Sequence, residues 1–263
     1  MNKDGQKYIL LIIESLREND PKTGSILNAE IAKLWKFKYS DVKTTVFSIQ
    51  SKNELIDLLE SIISIQVRTG FIPHLHFEIH GFENGLELSN GDRINWSELM
   101  KYFSKINLLT KNYLVIYLSV CYGSSILKCI NPLDRAPFKA LITPAEKIYE
   151  WQFSPGFTSF YEEYFTSFDL NESVKRMNEE IGERIFGLVL GEYCFNRITR
   201  FEPDSEFGNE LLSSLKIKLI HEKPWLQNET EEYIINLAKE CRKNNSEFLK
   251  SHREYFLMKD LTS

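Results

Sequence analysis

The sequence predicts an α/β protein built as a three-layer sandwich, with a mainly parallel central sheet covered by helices on both faces. Three observations carry that expectation. Strand-like apolar runs alternate with segments of helical periodicity along most of the chain. The runs themselves, such as "YILLII" over residues 8–13, are continuous rather than alternating, as in strands buried on both faces. A chain of 263 residues that is 43% apolar and 13% aromatic has enough material for a core that needs no disulfides.

The elements follow in order. "KYILLIIESL" opens the sheet, and the polar run "RENDPKTG" breaks it. "SILNAEIAKLWKF" spaces Ile26, Ile31 and Leu34 as a helix does, and "TTVFSIQ" is a short β-branched strand. Ser51 with Glu54 forms a capping box ahead of the stripe Leu55, Leu58, Leu59 and Ile62, and Gly70 is placed to end that helix. "FIPHLHFEIHG" is the next strand. "ENGLELSNGDRINW" reads as a hairpin turning on Asn90-Gly91, after which Ser97 caps "SELMKYFSKIN".

"NYLVIYLSVCYG" is the most strand-like run in the chain, with "SSILKCI" after it as the first turns of a helix. "FKALITPAEKIYEW" supplies another short strand. Two helices separated by a cap at Asp169 or Asn171 follow, and then "RIFGLVLGEYCF", a strand running into a helix. The composition turns more polar near residue 204. We therefore divide the chain into a main domain, 1–203, and a helical extension, 204–263, packed on that core; "ETEEYIINLAKECRKNNSEFLK" is the extension's clearest helix.

Composition narrows the function classes. The net charge is −5 and the basic residues are scattered, so no stripe fits a phosphate backbone and nucleic-acid binding is not expected. The apolar run near the N-terminus is too short for a membrane span and lacks a cleavage site, which makes a cytoplasmic location the expectation. The four cysteines form no C-x-x-C pair and read as free thiols. Dinucleotide, P-loop and G-x-S-x-G patterns are absent, and no cofactor is expected.

Three of the five histidines stand in "HLHFEIHG", residues 74–81. On a strand His74, His76, Glu78 and His80 share one face at intervals of roughly 6.6–7 Å. An H-x-H pair at a strand end suits a metal-dependent hydrolase, which makes His74 and His76 an alternative. No second ligand cluster accompanies them, so no metal is expected and the pair reads as scaffold.

His80 differs because it ends its strand and is followed by Gly81. Cys121 likewise ends a strand, followed by Tyr122-Gly123 and an expected helix start that would favour the thiolate. In a parallel sheet ligands bind beyond the carboxyl ends of the strands. If the two strands are neighbours, a base and a nucleophile meet there.

"FEIHG" and "YLSVCYG" resemble the two signature blocks of the caspase-like cysteine peptidases, an apolar run before His-Gly and a second before small-x-Cys-x-Gly. The hairpin and capped helix between them strengthen the resemblance, which spans roughly residues 7–200, and the stretch around "SFYEEYF" resembles the bacterial CHAT-like branch. The chain departs from the narrow caspase signature, sharing only its cysteine and glycine, and Ser119 stands where metacaspase-like members carry an acid two residues before the cysteine.

The resemblance implies a caspase-like fold and a cysteine endopeptidase with a Cys121–His80 dyad. It also implies an oxyanion site from the backbone amides of Gly81 and Cys121, a protein or peptide substrate, control by a partner, and a setting such as antiviral defence. Glu78, Asp92, Glu146 and Glu150 are the candidate substrate-pocket residues, and the aromatic group Tyr149, Trp151, Phe153, Phe157, Phe160 and Tyr161 is a candidate groove wall. The other readings are an inactive scaffold of the same fold, or the metal-dependent hydrolase built on His74 and His76.

Overall fold

The computed structural model describes residues 8–38, 43–132, 134–144, 150–199, 217, 220, 224–229, 232, 233, 236 and 246–261. Its elements are β1 (Tyr8–Ser15), α1 (Thr23–Lys38), β2 (Lys43–Ser48), α2 (Lys52–Thr69), β3 (Ile72–Phe82), β4 (Gly85–Glu87), β5 (Arg93–Asn95) and α3 (Trp96–Leu109). They continue with β6 (Val115–Ser119), β7 (Ala140–Pro144), α4 (Glu150–Ser167), α5 (Leu170–Ile181), β8 (Phe186–Leu190), α6 (Gly191–Thr199) and α7 (Ser246–Phe256). Among these residues no helix is long and apolar enough to cross a membrane.

The sheet runs in the order β2-β1-β3-β6-β7-β8, with β4 and β5 as a hairpin continuing from β3. All neighbours along this path pair in parallel except β7 and β8. The three-layer α/β/α expectation therefore holds. Residues of α1, α4 and α5 pack on one face around Leu10, Ile12, Val115 and Tyr117. Residues of α2, α3, α6 and α7 pack on the other around Leu75, Phe77, Ile116 and Leu118. Because β2 lies on one side of β1 and β3 on the other, the chain reverses direction across β1, and helices leave the β1/β3 gap on opposite faces. Such a gap opens a crevice at the strands' carboxyl ends.

Local chemistry sets the helix ends. The Ser51 hydroxyl accepts from Glu54 N at 3.2 Å, and Gly70, at φ 66°, returns its N–H to Gln66 O. Asp169, not Asn171, caps α5, accepting from Asn171 N and Glu172 N. The expected Ser97 cap is displaced. α3 begins two residues earlier than that cap implies, at Trp96, which is 2% exposed and whose N–H groups reach Asn84 O and Glu83 O. Burying that ring draws the first turn into the core, and Asn95 becomes the cap position without a side-chain bond.

"SSILKCI" also differs, since residues Gly123–Cys129 form a 3-10 helix of 7 residues rather than an α-helix. Phe157, Phe160 and Tyr161 are fully buried against the sheet, so they are core and not a groove wall. Tyr149 lies outside the described residues, as does most of the expected helix over 229–250.

The C-terminal helix α7 packs on the core through Phe256 and Leu257, with Phe256 and Phe195 rings 5.3 Å apart. Ala136 N donates to Phe256 O, Arg135 pairs with Asp260 and covers the Tyr255 ring, and Arg253 pairs with Glu192. Phe256→Ala should cost about 3–5 kcal/mol of unfolding free energy. A urea melt checks it; a change under 1 kcal/mol would mean that α7 contributes little to the core.

Candidate active site

β3 carries the histidine ladder because its alternation sends residues 74, 76, 78 and 80 to the α1/α4 face and 75, 77 and 79 to the other. The three lower members are buried, at 1%, 0% and 3% exposure. His74 Nδ1 meets the Tyr117 hydroxyl at 2.8 Å, and His76 Nδ1 meets the Tyr161 hydroxyl at 2.8 Å. His76 Nε2–H donates to Glu78 Oε1 at 2.8 Å, while Thr23 Oγ1 donates to Glu78 Oε2 at 2.8 Å. These contacts tie β3 to α4 on one side and to the start of α1 on the other.

Burial among aromatic rings, with the charge of Lys139 as a lesser cause, pushes the His74 pKa down to about 3. Its buried Nε2 has no hydrogen-bond partner among the described residues. Both ring nitrogens of His76 are taken, and among the described residues no three His, Cys, Asp or Glu side chains converge as metal ligands. The lower ladder therefore works as a polar spine of the core, each ring held by a tyrosine.

The top of the ladder reaches solvent. β3 and β6 pair in register with Glu78 opposite Ser119, and His80 and Cys121 each lie two residues beyond that pair. Both are partly exposed, the His80 side chain at 38%. The contact that brings these ends together is at Gly81. A Cβ built there would lie 2.0 Å from Cys121 O and 3.1 Å from Cys121 N, so only a glycine lets the two backbones touch. Tyr122 follows in the left-handed region, at φ 58°, and is 48% exposed, which turns the chain sharply away after Cys121. A Cβ built at Gly123 would lie 2.3 Å from Thr143 Oγ1. Among the described residues no hydrogen bond joins the Cys121 thiol to His80.

His80 has a partner that the sequence did not single out. Asp20, in the loop after β1, accepts from His80 Nε2–H at 2.8 Å and from Arg17 N at 2.8 Å through the same carboxylate oxygen. The His80 bond, and after it the Arg17 N–H, hold the Asp20 pKa below its ordinary value, with burial opposing. The only signal in the sequence was position: a polar run directly after the first strand, at the reversal that the β1/β3 order creates.

The pocket residues fall in different places. Glu78 lies under His80 with both oxygens engaged. Asp92 is exposed in the hairpin loop, where it accepts from Asn90 Nδ2 and Lys52 N, the cause of its lowered pKa, and so fastens the hairpin to α2. Glu150 starts α4, and Glu146 lies outside the described residues. Glu87, paired across from His80 on β4, receives Arg93 and Arg17, which hold its carboxyl below the usual range. Cys194 is buried with its thiol pushed up to about 11, and Cys129 is raised by burial.

The sequence matches no protein-family model, and a search of curated proteins returns no match.

Two outcomes follow from this geometry. Gly81→Ala must displace the Cys121 backbone and should cost about 1–3 kcal/mol of unfolding free energy; an unchanged urea midpoint would show that the close approach is dispensable. For His74, the folded value lies below the free value of 6.5, so the unfolded chain takes the proton first as pH falls. Its contribution is complete above 6.5 and is lost between 6.5 and about 3, by up to about 1.4 kcal/mol per pH unit. Urea midpoints from pH 7 to pH 4 should fall less steeply in His74→Gln.

Proposed function

We propose that the chain is a cysteine endopeptidase of the caspase-like kind, with Cys121 as nucleophile and His80 as the group that moves the proton. The observation that carries the reading is the backbone contact of Gly81 with Cys121, which sets an imidazole and a thiol level on adjacent strand ends at a solvent-open edge. The Cys121 proton passes to His80, the sulfur electron pair adds to the scissile carbonyl carbon, and the carbonyl π pair moves to oxygen. The backbone N–H groups of Gly81 and Cys121 are the proposed donors to that oxyanion, where each donor is worth about 3–4 kcal/mol.

Collapse of the adduct breaks the C–N bond while His80 returns its proton to the leaving amine. Water then adds to the thioester with His80 accepting its proton. Breaking the C–S bond releases the acid, and the proton on His80 restores the thiol. In this reading the enzyme works in the cytoplasm on a protein substrate, under control of a partner, and uses neither a cofactor nor nucleic acid.

A non-catalytic scaffold is the second reading, favoured by the lack of a thiol–imidazole hydrogen bond among the described residues. Catalytic hydrogen bonds are often long before substrate arrives, so the two readings separate on reactivity rather than on this distance. Cys121→Ala should abolish labelling by an acyloxymethyl-ketone peptide probe, and His80→Ala should slow it about 10²–10⁴-fold with the fold intact. Labelling of the parent no faster than that of a free cysteine peptide would favour the scaffold.

A further inference from the structure

We propose that Asp20 is a positioning residue for His80, so that the site is a Cys121–His80–Asp20 relay drawn from three adjacent strand ends; this rests on the peptidase reading above. β6, β3 and β1 are neighbours in the sheet, and their carboxyl ends supply Cys121, His80 and the Asp20 loop in that order. The Asp20 carboxylate takes His80 Nε2–H at 2.8 Å. A carboxylate can only accept, so this bond places a proton on Nε2, and in the neutral ring the lone pair that can exchange a proton with Cys121 is then on Nδ1.

Asp20 is held rather than draped. Its carboxylate also accepts from Arg17 N, and its own N–H donates to Arg17 O at 3.1 Å, which closes a tight turn. Lys22 Nζ bonds the carbonyls of Leu16 and Arg17, and the Arg17 guanidinium crosses to Glu87 on β4. Beyond the loop, Thr23 Oγ1 is fixed by the buried Glu78 and Ser25 by the buried Glu14. The carboxylate is thus preorganised at the imidazole from both ends of its loop.

The relay moves one proton. When Cys121 gives its proton to Nδ1, Nε2–H stays on the ring and Asp20 stabilises the imidazolium without becoming protonated. The charged groups around the ring are Asp20 on the β1 loop, Glu87 with Arg17 and Arg93 across β4, and Glu78 one step below on β3. Asp20 alone among them bonds the ring.

The experiment reads Cys121 directly. Iodoacetamide alkylation of the full chain is followed by peptide mass spectrometry across pH 5–10, which separates Cys121 from the other cysteines and needs no substrate. Asp20→Asn and Asp20→Ala should slow alkylation of Cys121 at pH 7 on the order of 10-fold or more and move its pH curve upward, with unchanged melting temperature. The ¹⁵N shifts of His80 should report the Nε2–H form in the parent and lose it in Asp20→Ala. Asp20→Asn keeps the shape of the side chain, so it guards against a folding failure in the alanine variant. Parent-like alkylation curves and His80 shifts in both variants, with His80→Ala slowed, would overturn the role of Asp20 alone. Parent-like alkylation in His80→Ala would overturn the dyad itself and the relay with it.

Discussion

The arrangement depends on one close approach, that of the Gly81 backbone to the Cys121 carbonyl. Parallel strands hold their Cα atoms about 4.7–4.9 Å apart, which ordinarily leaves room for side chains above and below but not for a backbone group lying over the next strand's Cβ position. A glycine removes the obstacle at one residue only. β6 leaves the sheet after Ser119, and Tyr122, in the left-handed region, bends the chain over the end of β3. The register between Glu78 and Ser119 then determines who meets whom, because slipping by one residue would send His80 to the opposite face.

The same alternation explains why a strand in the middle of a hydrophobic sheet carries four polar side chains. Burying the lower three costs free energy unless a partner replaces water, and the neighbouring elements supply those partners: Tyr117 from β6, Tyr161 from α4, Thr23 from α1. The partners also solve a positional problem. Apolar contacts alone let helices slide on a sheet by small amounts, whereas the hydrogen bond that the Thr23 hydroxyl donates to Glu78 fixes the first turn of α1 directionally. Since α1 starts at Thr23, the loop from Leu16 to Lys22 has both ends pinned. His74 is the exception, with no partner for Nε2 among the described residues, and its neutral ring is the cost of that position.

Much of this was legible in the sequence because it rests on local rules. Continuous apolar runs marked β1 and β6, the Ser51–Glu54 box and Gly70 marked α2, and the His-Gly and Cys-x-Gly strand ends stood out by residue type. What escaped depends on contacts between distant segments. Trp96 takes the helix start from Ser97 because its indole is core, which periodicity alone does not reveal. The helix after Cys121 tightens to a 3-10 form, a distinction that side-chain identity does not encode. Asp20 lies 60 residues from His80 in the chain, and only the strand order makes them neighbours.

The Asp20–His80 pair is too exposed to account for its own setting on stability grounds. Ion pairs between partly exposed side chains contribute about 0–1 kcal/mol, and a surface loop free to choose would not forgo its entropy for so little. This loop is nevertheless bound at Arg17, Asp20 and Lys22, and anchored to two buried carboxylates at the start of α1. The bonds that order it come from the loop's own backbone and from the start of α1, so they hold the carboxylate independently of His80. An ordering whose local return is so small fits the proposed role of Asp20, because preorganised groups spend no free energy rearranging as charge develops. The carboxylate is exposed enough to remain ionised, yet fixed enough to hold Nε2 of His80 at 2.8 Å.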